Sequence, residues 1–508
     1  MRTVFPSFHF AVDRLSWLLL ALFTSWIVLG SADTKQTSWP LHPKKPVIIV
    51  WNAPTQDCET QERVKLSLDQ VDIVSSPAQG VVGQALTLFY KDNLGIYPYY
   101  DTKDTEVNGG LPQSVSLSQH LEKMSKDLDT YIPDHQAKGV SVIDWEEWRP
   151  LWIRNWSAKD IYRRKSRELL AKKNSTLTQG QVATAAKEEF ELSASNFMLE
   201  TLKQAKSLRP NQLWGFYQFP DCYNHNFKGK MDSFTGRCPD VEYERNDELN
   251  WLWNESTALF PSIYMSSDLR STDQGRLFVL NRVKEAMRVA SVGDGLTPPV
   301  FVYSQPTFRK EMTLLTENKL LVNTVGLTVI ISDIHISGCS DLNNYFRGPM
   351  GRYLLNVTTA AKECSQKLCK FNGRCLRRAP DSAVFLHLSP TTHKIISQSG
   401  KLKVRGSPGQ AELKAFRQHF KCQCYNGTKG EGCEMGGKGG KGERGQSSAT
   451  SVLGMWPLSF SMTVNVNQMD LTLKTRLVLT HHESVSSSDC PGSDEVPYQS
   501  LILILIFI

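Results

Sequence analysis

Val140-Ser141-Val142-Ile143-Asp144-Trp145-Glu146-Glu147-Trp148-Arg149-Pro150 is the stretch whose reading decides the fold. Val140, Val142 and Ile143 make an apolar run that ends in two acids spaced i and i+2. On a strand, residues two apart point to one face, so Asp144 and Glu146 project together. Carboxylates crowded at a strand end, walled by Trp145 and Trp148, repel each other and are poorly solvated. Both effects raise the pKa of one member, which is what a general acid for glycosidic cleavage needs. The plain alternative is a solvated strand end with an idle charge run, and the surrounding segments decide between the two.

Strands are expected on either side of it: 47–51, ending at Asn52-Ala53-Pro54, then 86–90, 213–217, 259–264, 300–303 and 329–331. Helices alternate with them. Leu117, Leu121, Met124, Leu128 and Ile132 form a stripe at helical spacing behind a Ser116 N-cap. Ser157 is read as the cap of a helix through Ile161, Leu169 and Leu170. A long helix over 182–207 is expected to bury Phe190, Leu192, Phe197, Leu199 and Leu202, and another spans 278–289. The aromatic loop from Gly95 to Tyr100 reads as surface-lining. This alternation over about 300 residues predicts an α/β fold with a parallel sheet closed as a TIM-like (β/α) barrel. Chemistry in such barrels sits where strands end, which places Asp144, Glu146, Tyr217 and Tyr264 on one rim. Any one of these tyrosines alone is more often a packing residue.

At 508 residues the chain has room for one large domain and smaller appendages. Residues 1–32 read as a secretory signal peptide: Arg2 and Arg14 precede the apolar run 15–29, and Gly30 and Ala32 supply a cleavage site. Five sequons, at Asn155, Asn174, Asn254, Asn356 and Asn426, agree with export to the secreted or cell-surface space. A net charge of +7 suits a polyanionic partner, and no nucleic-acid motif is present.

Eleven cysteines in an exported chain imply disulfides with one left over, and Cys490, isolated in a Ser-rich tail, is the natural orphan. Cys364-x4-Cys369-x5-Cys375 followed by Cys422-x-Cys424 and Cys433 matches an EGF-like module over 361–435. The match implies Cys364–Cys375, Cys369–Cys422 and Cys424–Cys433. Zinc is the competing use, but matching His spacing is missing, so neither metal nor cofactor is expected. Residues 436–508 read as a low-complexity linker and tail, in which 462–466 alternates like a strand. The final apolar run, 501–508, is too short to cross a bilayer as a helix. It is read as either a C-terminal lipid-anchor signal, giving membrane association, or a sticky end.

Four separated motifs then resemble the animal hyaluronidases, glycoside hydrolase family 56, most closely the sperm-surface subgroup. They are Trp51-Asn52-Ala53-Pro54; Ile143 to Pro150; Leu213 to Tyr217 with Pro220-Asp221-Cys222; and Trp251 to Asn254 with Pro261 to Tyr264. The resemblance runs from about residue 47 to 433. It implies a distorted (β/α) barrel over 33–360 that cuts β-1,4 bonds of hyaluronan, and of chondroitin more slowly. The implied mechanism is substrate-assisted with retention. Glu146 is then the general acid and base, Asp144 positions the substrate's acetamido group with help from Tyr217, and Tyr264 lines the same subsite. Glu147, on the other strand face, has no role. The resemblance also implies Cys58–Cys339 and Cys222–Cys238.

One region departs from the family pattern. About ten residues are missing between Val325-Gly326 and the strand at 329–331, and Ser332 stands where a substrate-stacking Trp is expected. Losing that Trp removes a large apolar wall of the sugar site. The competing function is therefore a weakly active or inactive glycan-binding adhesion protein. A chitin-type hydrolase is set aside because its longer acidic strand motif is not matched before Asp144.

Overall fold

The computed structural model describes residues 34–52, 55–71, 73, 85–270, 272–305, 307–308, 339–435 and 504–507. All of these belong to one compact unit.

Parallel pairing runs from Leu86–Phe89 through Gly139–Ile143 to Gln212–Phe216. Leu86 stands opposite Val140, and Val140 opposite Leu213. Every residue of Gly139–Ile143 is buried, as a central strand covered on both faces requires. The order continues through parallel bridges, Tyr217 to Phe260, Leu259 to Val300 and Ser262 to Tyr303. The expected strand at 259–264 is thus a series of bridges, because Pro261 cannot donate to a ladder. Close approach on this side depends on Gly215, where a Cβ would lie 2.2 Å from the Ala258 carbonyl oxygen. Ile504–Phe507 pairs antiparallel with both Ile49–Val50 and Val300–Phe301. The apolar tail is therefore a sheet strand, a use neither expectation for it named.

Strand alternation sorts the core into two faces. Val140 and Val142 join Tyr217, Phe260, Phe301 and Tyr303 in one cluster. Ile143 and Trp145 face a larger cluster with the helices, including Trp148, Phe197 and Phe216. Helix Leu117–Tyr131 opens at Ser116, whose hydroxyl accepts from the Gln119 amide, and it buries His120 and Asp127 beside Met124 and Leu128. Helix Gln179–Leu208 starts with a reciprocal Thr178–Gln181 capping box. Its buried stripe is Val182, Ala186, Phe190, Ala194, Phe197, Thr201 and Ala205. Leu192 lies two residues from Phe190, on the opposite side of the helix, and is 71% exposed, so its expected burial is corrected. Helix Asp160–Lys173 begins after a 3-10 turn that contains Ser157, so Ser157 does not cap it.

The aromatic loop is also corrected. Tyr97 and Tyr100 are buried, and Tyr97 stacks on Trp145 at 4.6 Å and Trp148 at 5.2 Å. Stacked rings exclude water from the back of the acidic strand.

Helix Pro349–Cys369 runs without a break through the boundary expected at 360 and carries Cys364 and Cys369 into the C-terminal portion. Its two cysteines pair with Cys375 and Cys422, and Cys424 pairs with Cys433. Cys58–Cys339 and Cys222–Cys238 complete five disulfides among the described residues, the same pairs the sequence reading implied. The strands expected at 329–331 and 462–466, Ser332 and the segment before it, the signal at 1–32 and Cys490 lie outside the described residues. Among the described residues, no helix is long and apolar enough to cross a membrane.

Candidate active site

Asp144 is the first residue past Gly139–Ile143, and its amide still donates to the Phe89 carbonyl at 2.8 Å. Following the parity of Val140 and Val142, its side chain belongs to the face of Tyr217 and Tyr303. It is buried, and its Oδ1 has no hydrogen-bond partner among the described residues. Burial first, then the charges of Glu146 and Glu147, push the Asp144 carboxyl well above the usual range. Asp144 therefore resists ionisation where it lies. Glu146 remains about one-third exposed. Trp145 and Trp148 do not wall the acids: both are buried on the helix side, where their indoles donate to the Tyr90 and Pro98 carbonyls.

Tyr217 follows the next strand and donates its amide to the Ile143 carbonyl at 3.0 Å, which fixes it beside Asp144. Its hydroxyl donates to the Tyr264 hydroxyl at 3.0 Å. The structure thus brings together all four expected rim residues, with Glu146, Tyr217 and, through Tyr217, Tyr264 around Asp144. Glu147 is turned away into an ion pair with Lys91 at 2.6 Å.

Three neighbours were not singled out from the sequence. Tyr303 is fully buried against Tyr217, with ring centroids 4.7 Å apart, and its hydroxyl has no partner among the described residues. It ends an expected strand, so the rule that selected Tyr217 and Tyr264 also covers it. Gln218 donates its amide to Glu146 Oε2 at 2.7 Å and accepts from Arg149. Arg149 stands in the opening motif, 3.7 Å from Glu146. The loop beyond Gln218 is anchored at Asp221. Burial opposes its ionisation, yet Arg282 and Arg154 outweigh that and hold its carboxyl down at about 2.

Of the sequons, Asn174, Asn254 and Asn426 are exposed and Asn356 is half-buried. Asn155 is enclosed, with its amide nitrogen donating to the Arg149 and Leu151 carbonyls, and that leaves no room for a glycan. Among the described residues, a His and acid grouping with metal-ligand spacing joins Glu363, His393 and Glu412. There His393 already bonds Glu363 at 3.1 Å and Thr392 at 2.9 Å through its two ring nitrogens. A hydrogen-bonded imidazole of this kind does not offer a metal an open ligand.

A buried acid beside an exposed one, with a tyrosine pair alongside, is a machine for proton transfer to a polar substrate. The hyaluronidase family signature matches residues 36–436. The chain belongs to the hyaluronidase family. Its members are glycosidases, and relatives align over most of this chain. Human Hyaluronidase-2 is 39% identical over 88% of this chain and 98% of its own length. Mouse Hyaluronidase-5 is 46% identical over 76% of each. The mixed helix and sheet fold is similar to that of bee venom hyaluronidase, solved with a hyaluronic acid tetramer. The identity is 28% and the TM-score 0.53, covering 60% of this chain and 98% of that one.

Proposed function

We propose that this chain is an extracellular endo-β-N-acetylhexosaminidase that cleaves β-1,4 bonds of hyaluronan, and of chondroitin secondarily. Glu146 acts as acid and base. The observation that carries the reading is the buried Asp144 carboxyl, whose Oδ1 has no hydrogen-bond partner among the described residues, next to the solvent-reaching Glu146. On this reading the proton shared by the pair rests on Asp144, the buried member, before substrate binds. A bound N-acetyl group whose oxygen attacks the anomeric carbon becomes cationic, and that cation favours Asp144 as the anion. The proton is then released to Glu146, which delivers it to the leaving glycosidic oxygen as the bond breaks. Glu146, now a carboxylate, takes a proton from water. That water opens the cyclised acetamido intermediate with net retention. The Tyr217 hydroxyl, paired with Tyr264, is placed to bond the acetamido group, and Tyr264 lines the same subsite.

The parallel strand order supports a distorted barrel over 33–360, and the three clustered disulfides support an EGF-like unit over 361–435. The export signal and sequons support secretion or surface display. The adhesion alternative rests on the gap before Ser332. A reducing-end assay on purified protein with hyaluronan and chondroitin separates the two. New reducing ends support the enzyme, whereas tight binding with neither polymer cut supports adhesion.

A further inference from the structure

We propose that Gln218 is a positioning residue that sets the pH range of the Asp144–Glu146 pair by clamping the Glu146 carboxyl. The inference rests on the reading of Glu146 as general acid.

The geometry leaves the clamp one orientation. Arg149 has only donors, so it must face the amide oxygen of Gln218, which it does. The amide nitrogen is therefore turned to Glu146, where it donates to Oε2 at 2.7 Å. The guanidinium itself stays 3.7 Å from that same oxygen, so part of its charge reaches Glu146 through the amide. The backbone holds Gln218 there at a cost. Its φ is +65°, a left-handed conformation a side-chain-bearing residue seldom adopts. On either side of it, the Tyr217 amide donates to Ile143 and the Phe260 amide to the Phe219 carbonyl. The twist between these two anchors aims the side chain at the acid.

Among the described residues, the charged and titratable groups facing the pair are few. Arg149 and Glu147 come from the same loop, Glu147 being paired with Lys91. Tyr217 and Tyr303 come from neighbouring strands, and burial pushes both hydroxyls well above their usual range, so neither ionises in the working range. An N–H donor on a carboxylate favours its charged form. With one proton on Asp144 and Glu146 charged, the clamp therefore makes the pair take up its second proton, on Glu146, only at lower pH than it otherwise would. Without it, that second proton binds more readily, and the acidic limb of the kcat profile moves up.

Two variants test this, measured as pH profiles of kcat and KM on hyaluronan beside the parent and Glu146→Gln. Gln218→Gly removes the amide and suits a φ of +65°, so the loop keeps its shape. Its acidic limb should rise by roughly half to one pH unit with KM nearly unchanged. Gln218→Glu replaces the donor with a second carboxylate and should move the limb further the same way. A Gln218→Gly profile that superposes on the parent's after scaling, whatever the loss in rate, overturns the inference. If Glu146→Gln turns over normally, the general-acid assignment has failed instead. An inactive Glu146→Gln with an unmoved Gln218→Gly profile leaves that assignment standing and rejects the clamp alone.

Discussion

Tyr217 and Tyr303 pack ring against ring at 4.7 Å, yet the Tyr217 hydroxyl bonds Tyr264 while that of Tyr303 is buried with no partner among the described residues. A buried hydroxyl without a partner costs about 1–3 kcal/mol. Tyr303→Phe should therefore leave stability unchanged or raise it by about 1 kcal/mol, as read by urea unfolding. A loss of several kcal/mol would show that the hydroxyl is satisfied after all.

Asp144 pits stability against function. Its pKa is raised by burial and by the Glu146 and Glu147 charges, so the folded state holds a proton that the unfolded chain releases near pH 4. Stability from this group is full below the unfolded pKa and is lost as pH rises through the folded one. Asp144→Asn removes that penalty. The variant should melt higher than the parent at pH 7, gain little at pH 4, and turn over hyaluronan at a small fraction of the parent rate. A variant less stable at pH 7 but active would reverse the assignment.

His120 gives the opposite sign. Burial holds it neutral, with its pKa pushed down to about 3. Its Nδ1 accepts from the Ile96 amide at 3.0 Å, so Nε2 carries the proton toward Thr201. The unfolded chain protonates this group below about pH 6.5 while the folded chain does not. Stability present above that pH is thus lost as pH falls toward 3, by about 2 kcal/mol at pH 5. His120→Gln keeps a donor and an acceptor and should lose less stability between pH 7 and 5 than the parent. Equal pH sensitivity of the two proteins would contradict the burial argument.

Glycosylation should follow exposure. Glycopeptide mapping of secreted protein should find sugar at Asn174, Asn254 and Asn426, and Asn155 bare. An occupied Asn155 would mean that the Arg149–Asn155 contacts do not form in the mature protein.

Much of this architecture is legible in the chain because its signals are periodic. Val140 and Val142 alternate with Ser141, the Ser116 cap precedes a helical stripe, and the parallel core follows from strands broken by helices. Periodicity fails where a side chain's fate depends on a distant partner. Leu192 is as apolar as Phe190, but the helix turns it to solvent. The Gly95–Tyr100 loop lies buried because Trp145 and Trp148 offer it flat faces, a contact across some 50 residues that no local pattern reports. The acidic pair was visible, whereas the burial that makes Asp144 resist ionisation was not, since that depends on Tyr217 and its neighbours. Gln218 gave no signal either, because a polar residue after a strand usually marks only a turn.

The most direct test of the central claim is turnover by Glu146→Gln, assayed for new reducing ends on hyaluronan alongside polysaccharide binding. The substitution keeps the shape and a hydrogen-bonding amide while removing the proton donor. The expected result is binding close to that of the parent with nearly all turnover lost, while Glu147→Gln, whose parent side chain pairs with Lys91, retains most activity. Full-speed cleavage by Glu146→Gln would contradict the account.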